Sequence, residues 1–82
     1  MILFARNVET PEQLARLTQV LHAAAKYPLL ICIDQEGGSV ARLRQGFTES
    51  PGAMAVGAVG SEQNAYDVSR VLGEEMRALG IN

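Results

Sequence analysis

Two carboxylates, Asp34 and Glu36, stand two positions apart directly after the apolar run 29–33. In a pair of this kind, one carboxyl group can act as an acid and the other as a nucleophile. The two groups must then lie on opposite sides of the reacting bond, and in α/β folds such groups come from separate strands. We therefore interpret Asp34 as a ligand-contacting carboxylate at the end of a strand, with capping or bracing of the loop as the alternative. Glu36 is expected to hydrogen-bond loop amides.

A glycine pair, Gly37 and Gly38, follows these carboxylates. Without side chains here, either a ligand or another backbone segment can approach the chain closely. Further along, Arg42 and Arg44 each offer a guanidinium with several directed donors for hydroxyl or carboxylate groups of a ligand. Salt bridges to carboxylates of the same chain, at positions 34, 36 and 49, are the alternative, and spacing alone does not decide between them.

Two further side chains that could do chemistry are assigned structural roles. His22 lies in a helical pattern beside Leu21, away from any strand end, so we expect a surface or packing histidine rather than a general base. Cys32 is the only cysteine and lies in an apolar run, which predicts a buried, inert thiol. The sequence has no zinc-ligand spacing, phosphate-binding motif or nucleophile elbow, so we expect neither a metal nor a cofactor.

The elements that must position these residues begin with a strand, a helix and a second strand. Residues 1–4 form a short apolar segment typical of a strand. Thr10 can cap a helix that starts at Pro11, with Gln13 at the capping-box spacing, and the helix is predicted to run to about Lys26. Residues 29–33 have the length and composition of a parallel strand buried on both faces.

The second half of the chain predicts a long loop and another helix. Residues 34–60 are rich in glycine and show little periodicity, with a short helical turn expected near Met54. Ser61 is placed to cap the helix, Gly80 is placed to end it, and Ile81 would begin another strand. Apolar residues three or four apart predict the buried stripe of this helix: Ala65, Val68, Leu72, Met76 and Leu79.

The resulting order, β-α-β-loop-α-(β), is typical of an α/β fold with parallel strands and right-handed crossovers. Two or three strands cannot close such an architecture. We therefore expect that the chain is a piece of a larger barrel, or that it associates with itself or with a partner to cover the sheet.

The composition is that of a globular protein and narrows the range of partners. The 82 residues are 48% hydrophobic and 20% charged, with a net charge of −2. Because no basic stripe is present, neither nucleic acid nor a membrane surface is an expected partner. No apolar stretch approaches the roughly 20 residues of a transmembrane helix, and the N-terminus lacks a signal-peptide pattern, so we expect a cytoplasmic location.

Three segments resemble successive parts of one known domain. Residues 2–7, residues 33–38 with Val40 and Arg42, and residues 78–82 are similar to the N-terminal barrel of family 3 glycoside hydrolases, above all to bacterial β-N-acetylglucosaminidases that act on cell-wall muropeptides. The resemblance implies that residues 1–82 are a fragment of a single partial TIM (β/α)8 barrel domain. It also implies that Asp34 hydrogen-bonds the hydroxyls of a terminal N-acetylglucosamine and that Arg42 helps to hold this sugar. Ser39 stands where the family usually has arginine.

The family's mechanism is retaining, with an aspartate nucleophile and, in these hexosaminidases, a histidine acid/base. Both groups are expected beyond Asn82, so the resemblance implies a substrate-binding part with no catalytic residue of its own. The parent enzyme would serve peptidoglycan recycling in the cytoplasm without a cofactor. A β-glucosidase of the same family and a non-catalytic sugar-binding or interaction module remain the alternatives.

Overall fold

A computed structural model describes all residues from 1 to 82 and shows one short parallel strand pair. Strand β1 (Ile2–Leu3) pairs with β2 (Cys32–Ile33), and the crossover between them carries helix α1 (Pro11–Ala24). A single turn of 3-10 helix, residues 5–7, separates β1 from the loop before α1. This part of the chain therefore has the predicted β-α-β order.

Helix α1 begins where the capping signal predicts. The Thr10 hydroxyl oxygen accepts a hydrogen bond from the backbone N–H of Gln13 at 3.1 Å, and Pro11 occupies the first turn. The side chain of Gln13 reaches one residue further back than in a capping box, because its Oε1 accepts from the N–H of Glu9 at 3.1 Å. The helix ends at Ala24, two residues before the predicted end, because Ala25 is already extended.

The segment 29–33 is buried on only one face, which corrects the prediction of burial on both. Ile31 is fully buried against the helices, whereas Leu30 is 67% exposed. Cys32 is exposed as well, so the expectation of a buried thiol was wrong. The physical reason is that α1 covers one side of the strand pair and no other element of this chain covers the opposite side.

Residues predicted as a featureless loop contain a small antiparallel hairpin. Strands β3 (Gln35–Gly37) and β4 (Val40–Ala41) pair with an irregular register and are joined by a turn at Gly38 and Ser39. Its sharp turn uses positive φ angles, +86° at Gly37 and +57° at Gly38. The fold is therefore mixed α/β, and its sheets are not all parallel.

Two helices complete the chain at the predicted places. Helix α2 (Ala53–Ala58) includes the turn expected near Met54, and α3 (Glu62–Ala78) is capped by the Ser61 hydroxyl, which accepts from an amide of the first turn. Gly80 ends α3 with φ +76°, and the N–H of Ile81 donates to the carbonyl of Met76 at 3.0 Å. This pattern is a Schellman motif. No helix of the chain has the length and apolar character needed to cross a lipid bilayer.

The core lies between the strand pair and the ends of α1 and α3. Two polar contacts join these helix ends: the buried Thr18 hydroxyl donates to the carbonyl of Leu79 at 2.5 Å, and His22 Nε2 lies 2.8 Å from the carbonyl oxygen of Gly80. His22 therefore has a packing role, one of the two that were predicted. Six buried apolar residues form the centre: Leu3, Leu14, Ile31, Leu43, Leu79 and Ile81.

The chain's end runs beside β2 without becoming a regular strand. The N–H of Asn82 donates to the carbonyl of Ile31 at 3.2 Å, and the Asn82 side-chain oxygen accepts from the N–H of Ile31 at 2.9 Å. The predicted third strand is thus represented by a two-residue contact. The parallel sheet of this chain has two strands and does not close into a barrel.

Candidate functional site

Asp34 follows β2 directly and faces the uncovered side of the strand pair. Burial alternates along this segment, with Ile31 buried, Leu30 and Cys32 exposed, and the Asp34 side chain 49% exposed. Because side chains alternate between the faces of an extended chain, Asp34 lies on the same side as Leu30 and Cys32. The carboxylate is therefore accessible at the carboxyl end of a parallel strand, where ligands of α/β proteins bind.

Arg42 comes from the end of β4 and reaches this carboxylate. Its Nη2 lies 3.2 Å from Asp34 Oδ2, so the fold brings together the two residues that the sequence singled out. The alternative left open for Arg42, a salt bridge within the chain, is the arrangement seen here. The pair is partly exposed, with 29% of the Arg42 side chain accessible, and such single contacts contribute only about 0.2 to 1 kcal/mol.

The Arg42 guanidinium retains donor capacity beyond this contact. Its Nε is buried and has no hydrogen-bond partner, although a guanidinium carries five N–H donors in a fixed plane. Beside Arg42 lies an open cleft of about 230 Å³. It is lined by apolar and polar side chains: Ala5, Val8, Glu9, Ala41, Arg44, Gln45 and Phe47. A carboxylate acceptor and a guanidinium donor side by side suit a ligand rich in hydroxyl groups.

Gln35 braces the site, and sequence reasoning missed it. Its side-chain Oε1 accepts hydrogen bonds from the backbone N–H groups of Arg42 and Leu43, both at 3.0 Å, and its Nε2 donates to the carbonyl of Leu43 at 2.9 Å. Glu36, predicted to hydrogen-bond loop amides, is instead exposed and makes no hydrogen bond. A signal existed: of residues 34–36, only Gln35 can both donate and accept through one side chain.

Neither Arg44 nor Glu36 makes a polar contact with the Asp34–Arg42 pair, although Arg44 lines the cleft beside Arg42. Arg44 contacts Glu49 at 3.3 Å and donates to the carbonyl of Gly38 at 3.0 Å, which is again the salt-bridge alternative. Glu36 lines a separate cleft of about 380 Å³ against α2 and α3. Asp34 therefore has Arg42 as its ionic partner, and neither Arg44 nor Glu36 contributes to that contact.

Gly37 and Gly38 allow two backbone segments of the chain to pack closely. A Cβ at Gly37 would lie 2.7 Å from the carbonyl oxygen of Ser50, and the N–H of Gly38 donates to the same oxygen at 2.8 Å. Of the two possibilities that the sequence left open, close approach of a backbone segment is the one observed at Gly37. The turn is thereby fixed against residues 50–52, which holds the hairpin that carries Arg42.

Comparison with known sequences shows the class of protein. The family model described as the glycosyl hydrolase family 3 N-terminal domain matches residues 1–82, and the chain belongs to this family. It is 41% identical to a β-hexosaminidase of Alkalilimnicola ehrlichii and 43% identical to one of Nitrosomonas eutropha, in each case over 100% of this chain and 25% of the relative. The chain thus spans about a quarter of the length of these relatives.

Solved structures of the same family superpose on nearly the whole chain. NagZ from Neisseria gonorrhoeae, crystallised with N-trifluoroacetyl-D-glucosamine, matches 98% of this chain and 26% of its own with a TM-score of 0.85 at 38% identity. A fungal multi-domain family 3 β-N-acetylglucosaminidase gives a TM-score of 0.90 at 44% identity, over 99% of this chain and 10% of its own. The relatives are therefore β-hexosaminidases, and one of them binds an N-acylated glucosamine.

Proposed function

We propose that this chain is the sugar-binding part of a retaining β-N-acetylhexosaminidase, in which Asp34 and Arg42 hold the terminal N-acetylglucosamine. The observation that carries the proposal is the accessible Asp34–Arg42 pair, joined at 3.2 Å at the carboxyl end of a parallel strand. The N-acylated glucosamine bound by the gonococcal relative supports the choice of sugar.

The rest of a TIM (β/α)8 barrel would complete this site. Residues 1–82 would form its first strands and helices within a single domain, and the uncovered face that carries Leu30 and Cys32 would turn toward the barrel interior. Support comes from the relatives, of which the chain covers about 25%. The nucleophile and the acid/base group would be supplied by the remainder, so residues 1–82 alone would not hydrolyse the substrate.

The role of the pair follows from its chemistry. The Asp34 carboxylate would accept hydrogen bonds from sugar hydroxyls, while the Arg42 guanidinium, released from part of its contact with Asp34, would donate to others. Hydrogen bonds to hydroxyls near the reacting carbon strengthen as the ring distorts toward the transition state. Such contacts raise turnover as well as affinity.

The natural substrate would be a cell-wall muropeptide with a terminal β-linked N-acetylglucosamine, degraded in the cytoplasm during peptidoglycan recycling. The resemblance of the Asp34 and Arg42 segment to muropeptide-degrading enzymes supports this substrate. No cofactor or metal is required by the proposed chemistry, because the retaining mechanism uses two protein side chains.

A hybrid enzyme tests the proposal. Residues 1–82 replace the matching quarter of the Alkalilimnicola ehrlichii β-hexosaminidase, and release of para-nitrophenol from the N-acetyl-β-glucosaminide is measured. Asp34→Ala is expected to lower kcat/KM by about 100-fold, because two or more hydrogen bonds to a charged acceptor are lost. Glu36→Gln is the matched control, with a change below about threefold, since this carboxylate makes no hydrogen bond.

Two results would contradict the proposal. An unchanged kcat/KM for the folded Asp34→Ala hybrid would remove the assignment of Asp34. A hybrid that prefers the β-glucoside over the N-acetyl-β-glucosaminide would point to the β-glucosidase alternative. Circular dichroism of each hybrid confirms that the loss of activity is not a loss of fold.

A further inference from the structure

Residue Gln35 is the sequence neighbour of one site residue and contacts the backbone of the other. It follows Asp34 directly, and its side chain makes three hydrogen bonds to the backbone of Arg42 and Leu43, between 2.9 and 3.0 Å. The side-chain amide of Gln35 accepts from two backbone N–H groups and donates to one carbonyl. It thereby replaces the backbone hydrogen bonds that a further pair of strand residues would provide.

The regular ladder between β3 and β4 stops before it reaches Arg42. Its only residue pairs are Gln35 with Ala41 and Gly37 with Val40, and the register shifts between them. The backbone that carries the guanidinium is therefore beyond the last strand pair. The Gln35 side chain supplies the hydrogen bonds that the ladder lacks there.

The Asp34–Arg42 contact cannot provide this alignment by itself. It consists of one N–O contact at 3.2 Å between two partly exposed side chains, and a single contact of this kind is weak and easily screened. The position of the arginine must come from its backbone. The next residue, Leu43, is only 1% exposed and anchors this backbone in the core. The side chain of Gln35, the neighbour of Asp34, holds the same backbone by hydrogen bonds.

We propose that Gln35 is a positioning residue that sets the Arg42 guanidinium against Asp34, and thereby shapes the sugar-binding pair without touching the sugar. This role depends on the proposed function, because only in a sugar site does the alignment affect hydrolysis. A purely structural role would instead stabilise the whole chain and act equally on all parts of it.

The first test is made on the 82-residue chain and needs no sugar. Hydrogen exchange of the Arg42 Nε–H and of the Arg42 and Leu43 amides is followed by NMR in the Gln35→Met variant, which keeps the side-chain length and removes all three hydrogen bonds. Exchange of the two amides is expected to accelerate by about tenfold, because they lose their bonds to Gln35. The Nε–H is expected to exchange faster as well, because the guanidinium is no longer held in its buried position. The Leu72 amide lies within helix α3 and makes none of these bonds, so it is expected to exchange at an unchanged rate.

Two further variants keep this test decisive. Gln35→Glu retains the acceptor for both amides and loses only the donor to Leu43, so it is expected to restore most of the protection; it also serves if the methionine variant does not fold. Gln19→Met, at an exposed position of α1, is the matched control with no effect. Unchanged exchange at Arg42 in the folded Gln35 variants, or equal acceleration at Leu72, would overturn the positioning role.

The second test separates this role from the sugar site itself. In the hybrid enzyme, Gln35→Met is expected to lower kcat/KM by about tenfold when Arg42 is present, and by less than about twofold in an Arg42→Ala background. Equal losses in both backgrounds would mean that Gln35 does not act through Arg42. If Asp34→Ala were without effect in the hybrid, the proposed function would fail, while the exchange experiment would still decide on Gln35.

Discussion

The backbone of Gly37 lies directly against the carbonyl oxygen of Ser50, so that a Cβ at position 37 would sit 2.7 Å from that oxygen. Backbone atoms cannot move aside as the end of a long side chain can. This contact fixes the turn of the hairpin, and the opposite end of the same hairpin carries Arg42. The geometry of the proposed site thus depends on a position outside the Asp34–Arg42 pair.

Gly37→Ala is therefore expected to destabilise the chain by about 2 to 4 kcal/mol, because it combines a positive φ with a backbone clash. Urea unfolding at equilibrium measures the change. Gly73→Ala is the matched control and is expected to stabilise by about 0.5 to 1 kcal/mol, since Gly73 lies inside α3 with no atom within 4 Å of the added Cβ. Equal effects at both positions would contradict the close approach.

The buried hydroxyl of Thr18 provides a second prediction. Thr18→Val keeps the shape of the side chain but leaves the carbonyl of Leu79 without its 2.5 Å hydrogen bond. The expected loss is about 1 to 3 kcal/mol in the free energy of unfolding. Val20→Thr, the reverse change at a 63% exposed position of the same helix, is expected to alter stability by less than about 0.5 kcal/mol.

Glu12 gives the chain a predictable response to acid. Hydrogen bonding to its own backbone N–H, then to Thr10, with a smaller effect of the Arg16 charge, holds the pKa of Glu12 below its ordinary value of 4.5. The folded state thus favours the ionised carboxylate more than the unfolded chain does, so its contribution is full above 4.5 and disappears as the pH falls through the lowered pKa. Glu12→Gln should lower Tm at neutral pH, with a difference that shrinks in acid.

Thermal unfolding of wild type and Glu12→Gln across this pH range measures the effect, and NMR titration of the Glu12 carboxyl measures its pKa directly. A difference in Tm that grows on acidification would have the wrong sign for a lowered pKa.

The two arginines of the hairpin should respond differently to lysine. Arg42→Lys is expected to lower kcat/KM of the hybrid enzyme by about tenfold, because an ammonium group cannot present a planar set of donors to both Asp34 and a sugar. Arg44→Lys is expected to change it by less than about twofold, since the contact of Arg44 with Glu49 is exposed. Similar losses for the two variants would mean that charge alone matters.

Much of the secondary structure could be predicted because its signals are local. The hydroxyls of Thr10 and Ser61 cap their helices, and Gly80 ends α3, where the sequence placed them. In each case the deciding hydrogen bond joins residues only a few positions apart. Asp34 could likewise be singled out from its place after an apolar run, whereas Arg42 was preferred over Arg44 only through the resemblance to the family.

Other features depend on contacts that no local pattern contains. The hairpin at residues 35–41 has strands too short for a clear alternation, and it is held by the Gln35 side chain and by the packing of Gly37 on Ser50. Cys32 was expected inside because an apolar run does not reveal which of its faces another layer covers. The role of Gln35 is not predictable from any local pattern in the sequence, because its side chain bonds backbone groups seven and eight residues away.

The alternation of side chains along residues 29–34 determines both the packing of the core and the accessibility of Asp34. Ile31 points into the core, and Asp34, three positions on, points to the open side. A deletion or insertion of one residue here would exchange the two faces, so that a carboxylate would point at the helices and an isoleucine at the site. The length of this segment is therefore constrained by the core on one face and by the proposed sugar site on the other.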